Sequence, residues 1–108
     1  MSVDSSQLLK GTLDIALLVV LGDQESYGHE LFQTLCAAKV PGLADASVYG
    51  ALRRLEQDGA LESRLVASSE GPARKYYRLT RNGRVTLAAS LRAWRQLVTA
   101  MDKLVDGG

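Results

Sequence analysis

The last quarter of the chain carries an apolar repeat that a small domain cannot bury by itself. From Thr80, a suitable helix N-cap, the spacing predicts one helix to about Asp106, roughly 40 Å long at 1.5 Å per residue. Its apolar residues recur at alternating steps of four and three, which is a heptad-like seam. The seam consists of Leu87, Leu91, Trp94, Val98, Met101 and Val105, widened by Leu97 and Leu104.

A seam of this length needs a partner, because monomeric proteins rarely expose a large contiguous apolar patch. The chain has 108 residues, enough for one domain with a limited core. We therefore expect a homodimer that forms through this helix, with the first helix of the chain packed against it. The predicted interface residues are Leu91, Trp94, Val98 and Met101.

Two helices are predicted at the start of the chain. Apolar residues at three- and four-residue steps predict the first over Leu8–Leu21, with Ser5 or Ser6 as its N-cap. A second helix is expected from an N-cap at Ser26 to about Lys39.

A third, shorter helix is amphipathic. Asp45 is its candidate N-cap, and Gly59 follows it in the position of a left-handed C′ residue. Val48, Leu52 and Leu55 lie at i, i+4 and i+7 on one face, which predicts the core side. The opposite face presents Ser47, Tyr49, Gly50, Arg53, Arg54 and Gln57.

The periodicity then changes to that of a hairpin. Leu61–Ser68 and Lys75–Leu79 are predicted strands, separated by the turn-forming sequence SSEGPA. Tyr76 and Tyr77 are expected to point to opposite faces of their strand. Arg64 and the Arg74-Lys75 pair flank the tip, where cations can reach backbone phosphate or the minor groove.

Helix, helix, helix, hairpin is the element order of a winged helix-turn-helix. The predicted fold is therefore mainly α, of the α+β class, with a long C-terminal dimerisation helix. Residues 1–80 are predicted to form a DNA-binding domain and residues 81–108 the dimerisation helix. An amphipathic helix with adjacent arginines on its outer face suits the DNA major groove, roughly 12 Å wide.

Charge is distributed unevenly along the chain, although the formal net charge is only +1. Residues 1–38 hold one cation and five acids, whereas residues 39–84 hold nine cations and five acids. The local excess of positive charge favours a polyanionic partner for the middle segment. A solvated surface rich in arginine would give the same pattern, so charge alone leaves both interpretations open.

Three sequence blocks together resemble the PadR family of transcriptional regulators. They are LLKGTLD at residues 8–14 followed by YGHEL at 27–31, SVYGALRRLEQDG at 47–59, and GPARKYYRLTRNG at 71–83. The resemblance runs over residues 8–84 without a gap. Because one further helix completes the chain, it is similar to the short PadR subclass that lacks an added helical domain.

This resemblance implies a ligand-responsive repressor that binds a two-fold operator in double-stranded DNA as a homodimer. The implied DNA-binding residues are Ser47, Tyr49, Arg53, Arg54, Arg74, Lys75 and Tyr76. In short PadR proteins a tryptophan at the place of Trp94 lines a pore at the dimer interface. The resemblance therefore implies a small planar aromatic effector there, of multidrug or phenolic type. One departure concerns Gly50, since the family usually has proline after the recognition-helix tyrosine.

Several of these residues also have structural interpretations. Arg53 and Arg54 could instead be solvent-exposed residues of a helix face that makes no contact with DNA. Tyr49 could pack against the hairpin, and Trp94 could belong only to the interface core. Cys36 is expected to be a buried apolar residue rather than a redox sensor, because nothing basic flanks it.

Other functional classes find little support in the sequence. No nucleophile stands with a base, and one His with one Cys makes no metal site, so we expect no enzyme activity, metal or cofactor. No apolar run approaches the length of a membrane helix, and the polar start at Met1–Gln7 lacks the basic region of a signal peptide, which predicts a cytoplasmic protein. The alternative from another class is a winged-helix adaptor that binds protein instead of DNA, and salt-dependent DNA binding would separate the two.

Overall fold

A computed structural model of the chain describes Leu9 and residues 11–107. Within them the chain forms a mixed α+β fold with the element order of a winged helix, as predicted. The elements in chain order are α1 (Leu13–Asp23), β1 (Ser26–Tyr27), α2 (Gly28–Ala37), α3 (Asp45–Gln57), β2 (Leu61–Ser68), β3 (Gly71–Leu79) and α4 (Arg81–Gly107).

One apolar core joins the three short helices to the base of the hairpin. Leu17, Leu31 and Leu52, one from each helix, are almost fully buried. Each leucine buried in this way stabilises the fold by about 1.5–3 kcal/mol relative to an exposed one. The predicted inward positions of α3, Val48, Leu52 and Leu55, are all buried, and Ala51 is buried beside them.

The beginnings of the helices differ from the predictions. Residues 11 and 12 form a turn, so α1 starts at Leu13 instead of Leu8, and Ser5 and Ser6 lie outside the described residues. Ser26 is not the N-cap of α2. Its buried hydroxyl donates a hydrogen bond of 2.5 Å to Glu30 Oε1, and the N-cap is Tyr27.

Two further predictions need correction. Asp45 is the first helical residue of α3, after an N-cap at Ala44 that makes no side-chain capping bond. Cys36 is exposed, because it lies on the side of α2 away from the buried Leu31 and Leu35. Gly59 has a φ of 83°, which confirms the left-handed residue predicted after α3.

The sheet contains a strand that the sequence did not indicate. β1 pairs with β3, and the order is β1-β3-β2 with all pairs antiparallel. Ser26 lies opposite Tyr77 and Tyr27 lies opposite Tyr76. The short strand β1 thereby ties the start of α2 to the base of the wing.

The wing is the hairpin formed by β2 and β3. Its second strand begins at Gly71, four residues earlier than predicted, so the turn is short. Tyr77 is buried and Tyr76 is half-buried, which agrees with their predicted placement on opposite faces. Arg74 pairs with Val66 and Lys75 with Leu65, so both cations lie along the strand below the tip.

The junction between the winged helix and α4 is closely packed. The Thr80 hydroxyl donates a 2.6 Å hydrogen bond to the Gly59 carbonyl and accepts one of 2.9 Å from the Gly83 backbone, which confirms Thr80 as the cap of α4. The Thr80 N–H also donates to the Ala60 carbonyl. A Cβ on Gly83 would overlap that same carbonyl oxygen, so only glycine permits the close approach of α4.

Candidate nucleic-acid interface

The recognition helix α3 has one face that points away from the core. At about 100° per residue, Arg53 lies roughly opposite the whole buried stripe of Val48, Ala51, Leu52 and Leu55, whereas Arg54 is turned toward α1. Both arginines are exposed. The two adjacent arginines predicted as a pair therefore occupy different faces, and Arg53 is the one that points straight outward.

Arg54 is already engaged within the chain. Its Nη2 lies 2.5 Å from Oδ1 of Asp14 on α1, and the two side chains are 55% and 37% exposed. An exposed pair of this kind contributes up to about 1 kcal/mol to stability. Arg53 has no carboxylate partner in the part of the chain that the structure describes.

Tyr49 occupies the flank of α3 that faces the wing. Its ring packs over the buried Gly28 at the start of α2, where any Cβ would overlap the ring. The side chain is nevertheless 42% exposed. Tyr49 therefore packs against the start of α2, where one interpretation had placed it against the hairpin, and it still presents surface to solvent.

Lys75 is held by the same flank of α3. Its Nζ lies 2.9 Å from Oε1 of Glu56 and 5.4 Å from the centre of the Tyr77 ring. The hydroxyl of Ser63 donates a 2.5 Å hydrogen bond to the other Glu56 oxygen. Hydrogen bonds from Ser63 and then Lys75 lower the pKa of Glu56 below its ordinary 4.5, so the carboxylate stays charged at neutral pH.

Arg74 and Tyr76 lie on the other face of β3. The Arg74 guanidinium lies 4.6 Å from the centre of the Tyr27 ring, a cation–π contact. Tyr27 and Tyr76 form a tilted aromatic pair with ring centres 5.2 Å apart. On the same face Arg64 donates two hydrogen bonds to Glu25, at 2.5 and 2.9 Å, and these lower the pKa of that carboxyl.

A cleft between α2, α3 and the wing brings part of the predicted site together. Its lining residues are Tyr27, Gly28, His29, Tyr49, Arg74, Lys75 and Tyr77. Phenolic hydroxyls, an imidazole and two cations are groups that bind phosphate and sugar oxygens. Of the predicted DNA-binding residues, Tyr49, Arg74 and Lys75 line this cleft, whereas Ser47, Arg53 and Arg54 lie on α3 outside it.

The tip of the wing carries no positive charge. Residues 67–73 contain Glu70 as their one charged side chain. The cations that flank the tip are set back along the strands, where Arg64 and Lys75 are paired with carboxylates. The cationic side chains of this wing therefore lie along the sides of the hairpin rather than at its end.

The predicted dimer residues on α4 are exposed to different degrees. Leu91 is half-buried, Trp94 is 41% exposed, Val98 36% and Met101 49%. Leu104 and Val105, near the end of the helix, are 69% and 74% exposed. Every residue from 92 to 107 is exposed, so within one chain the seam is uncovered over most of its length.

Sequence reasoning missed three side chains that shape this surface. Asp14 and Glu56 hold two of the predicted cations, and Tyr27 carries the aromatic contacts of Arg74 and Tyr76. All three stand in the sequence blocks quoted above, which marks the segments without indicating what these side chains contact. The roles of Asp14 and Glu56 depend on residues brought from elsewhere in the chain and left no local signal.

Comparison with known proteins agrees with this geometry. The profile of the PadR-like family of transcriptional regulators matches residues 17–89, about two thirds of the chain. The matched segment includes α3, the wing and the first turns of α4.

The chain belongs to the PadR-like family.

Solved structures of family members share its fold. A PadR-like transcriptional regulator from Bacillus cereus is 33% identical, with a TM-score of 0.84 over 94% of this chain and 99% of its own. A PadR family regulator from Eggerthella lenta is 30% identical, with a TM-score of 0.78 over 94% and 88%. An uncharacterized protein of Lysinibacillus sphaericus is 27% identical and aligned over 94% of this chain and 95% of its own.

Family membership makes this chain a transcriptional regulator of the PadR-like type, a family whose members bind DNA. None of the helices described here is both long and apolar enough to cross a membrane.

Proposed function

We propose that this PadR-like chain is a cytoplasmic repressor that binds a two-fold operator as a homodimer and is released by a planar aromatic effector. The outward face of α3 carries the proposal. Arg53 points away from the core and lacks an internal carboxylate partner among the described residues, so its guanidinium is available to a guanine edge or a phosphate. Ser47, Tyr49 and Arg54 border it, and Arg74, Lys75 and Tyr76 add contacts from the wing.

The DNA-binding part is tested by a matched pair of arginine variants. Arg53→Ala should lose about 1–3 kcal/mol of binding free energy, and unevenly across sequences, if the guanidinium reads a base. Arg92→Ala removes an equally exposed arginine from α4 and is the control. Both are titrated against a duplex from directly upstream of the chain's own gene, with a scrambled duplex beside it.

Salt dependence of the same titration gives a second readout. A phosphate contact by Arg74 or Lys75 predicts that its alanine variant weakens all sequences alike and lowers the salt slope by about one. If wild type shows no salt-dependent binding to either duplex, DNA binding is wrong. The protein-binding adaptor, the competing interpretation, would then account for the fold.

Dimerisation is supported by the uncovered seam of α4. A second α4 would bury Trp94, Val98 and Met101, which are all exposed in one chain. The two copies of α3 would then address half-sites about 34–36 Å apart, one turn of the DNA helix. A two-fold operator follows from this arrangement.

Effector binding is proposed at Trp94. Two copies of this half-exposed ring, related by the dimer axis, would flank a slot in which a planar cation gains about 0.5–2 kcal/mol from the ring quadrupole. The planar cationic dye proflavine is a suitable probe, followed by its own fluorescence anisotropy. Trp94→Ala should abolish saturable binding, whereas Leu104→Ala, farther along the seam, should retain it.

Repression relieved by a ligand predicts reciprocal coupling. If the dye weakens DNA binding, DNA must weaken dye binding by the same factor. Equal dye affinity in wild type and Trp94→Ala would refute the effector site and leave the DNA-binding proposal standing.

A further inference from the structure

The outer part of the wing has little apolar support. Between Leu61 and Tyr77, which are both buried, no residue from 62 to 76 is buried. A two-stranded hairpin that projects into solvent is only marginally stable on its own. The angle of this wing against the recognition helix must therefore be set by contacts at its root.

Those contacts fall on the two faces of the hairpin. On one face the Tyr27 ring forms a tilted aromatic pair with Tyr76 and a cation–π contact with Arg74, while Arg64 binds Glu25. These contacts tie the wing to β1 and the residue before it. They do not involve α3.

The other face is tied directly to α3 by one carboxylate. Glu56 receives Ser63 of β2 on one oxygen and Lys75 of β3 on the other, at 2.5 and 2.9 Å. Its side chain is 29% exposed, less than the carboxylate of the Arg78–Glu62 pair on the hairpin, which is 51% exposed. One side chain of α3 thus binds both strands of the wing.

We propose that Glu56 is a positioning residue, which holds the wing at a fixed angle to α3 so that the two bind DNA as one rigid unit. The proposal rests on the proposed DNA binding. It also changes the part played by Lys75. One N–H donor of its ammonium group binds Glu56, which fixes the position of the group. The remaining donors would then bind DNA phosphate from that fixed position.

Preorganisation of this kind affects sequence-specific binding more than non-specific binding. A wing that moves relative to α3 must lose that freedom when both contact the duplex, and the loss weakens affinity. Non-specific attachment through scattered phosphate contacts does not need the two elements in register. Loss of Glu56 should therefore reduce the preference for the operator.

The test compares two neutralising substitutions that make the same charge change. Glu56→Gln removes the negative charge that holds Lys75 to α3, whereas Glu62→Gln removes the one that holds Arg78 within the hairpin. Ser63→Ala is a third variant that leaves every charge in place. All three are made in the full-length chain.

Wing motion is measured without DNA. A nitroxide label at Ser69→Cys, in a chain where Cys36→Ser removes the natural thiol, reports motion of the wing tip by electron paramagnetic resonance. Glu56→Gln and Ser63→Ala should narrow the spectrum, and Glu62→Gln should leave it unchanged. An unchanged spectrum in Glu56→Gln would overturn the proposal whatever the protein binds.

DNA binding is then measured on the upstream and scrambled duplexes at one salt concentration. Relative to Glu62→Gln, Glu56→Gln should bind the upstream duplex about fivefold more weakly, the effect of roughly 1 kcal/mol, and the scrambled duplex about equally. Equal behaviour of the two variants on both duplexes would show that Glu56 does not act through the wing. Failure of wild type to bind either duplex would instead overturn the proposed function.

Discussion

The winged-helix body (residues 13–80) and the distal arm of α4 (residues 92–107) treat their apolar residues in opposite ways. The body buries Leu17, Leu18, Leu31 and Leu52 almost completely within its own chain. The arm also has an apolar seam, and every seam residue in it is exposed, Leu104 and Val105 most of all. The body therefore buries its apolar residues within one chain, whereas the apolar surface of the arm stays exposed among the described residues.

A substitution that disrupts the predicted dimer interface on the arm should show the difference between the two regions most clearly. Val98→Glu would place one carboxylate from each chain in the seam, and a buried unpaired charge costs about 3–5 kcal/mol. We expect a monomer at micromolar concentration by sedimentation velocity. Because Val98 is exposed and is not a member of the apolar core, the body should keep its circular dichroism spectrum.

Thr99→Glu is the control, since Thr99 is one residue on and lies on the polar side of the same helix. It should sediment as wild type does. A wild-type chain that is monomeric throughout would refute dimerisation, and loss of all helical signal in Val98→Glu would show that the body depends on the arm.

The joint between the two regions is the next point to disturb. Gly83→Ala places a methyl group against the backbone carbonyl of Ala60, which neither a rotamer change nor a flexible neighbour can relieve. We expect a loss of about 2–4 kcal/mol in the free energy of unfolding, measured by urea titration. A loss under about 0.5 kcal/mol would mean that α4 shifts at little cost to accommodate the methyl group, so that its junction with the body is not rigid.

Gly50→Ala makes the same chemical change on the open side of α3. No heavy atom lies within 4 Å of the added Cβ, and the backbone is already helical. The variant should be more stable than wild type by up to about 1 kcal/mol, because alanine favours helix. Destabilisation here would contradict the placement of Gly50 on an unobstructed surface.

The smallest expected effect concerns the ion pairs of the body and appears only in acid. The folded-state pKa of Glu56 is lowered, so its contribution to stability is present above the ordinary 4.5 and is lost as the pH falls through the folded value. Between about pH 5 and pH 3 wild type should lose stability more steeply than Glu56→Gln, by less than about 1 kcal/mol for so exposed a pair. Parallel urea midpoints of the two proteins over this range would contradict the lowered pKa.

What the sequence predicted follows from the range of the forces involved. The apolar stripe of α3 and the seam of α4 are set by residues three and four apart, and both helices were predicted closely. The cap at Thr80 and the left-handed Gly59 also have local chemical signatures, and both were confirmed. These features need nothing from distant parts of the chain.

The errors arise where distant residues compete with a local preference. Ser26 has the chemistry of an N-cap, yet it forms a strand because Tyr77 supplies a pairing partner fifty residues away. The DNA contact of Arg54 stays a prediction, but its contact with Asp14 on α1 has no local pattern that could have indicated it. Periodicity predicts which face of a helix or strand a side chain occupies, but it does not predict which distant residue that side chain contacts.

The Thr80 junction has a mechanical consequence. Its hydrogen bonds to Gly59, and the seat of Gly83 on Ala60, fasten α4 to the residues that directly follow the recognition helix. A helix fastened in this way moves as a stiff rod about a point beside α3. Over its length of roughly 40 Å, a tilt of about 5° corresponds to a displacement of roughly 3.5 Å between its ends. That distance is close to the rise of a single base-pair step, about 3.4 Å, so in the proposed dimer a small tilt where the two α4 helices meet would change the separation of the two α3 helices by about one base-pair step.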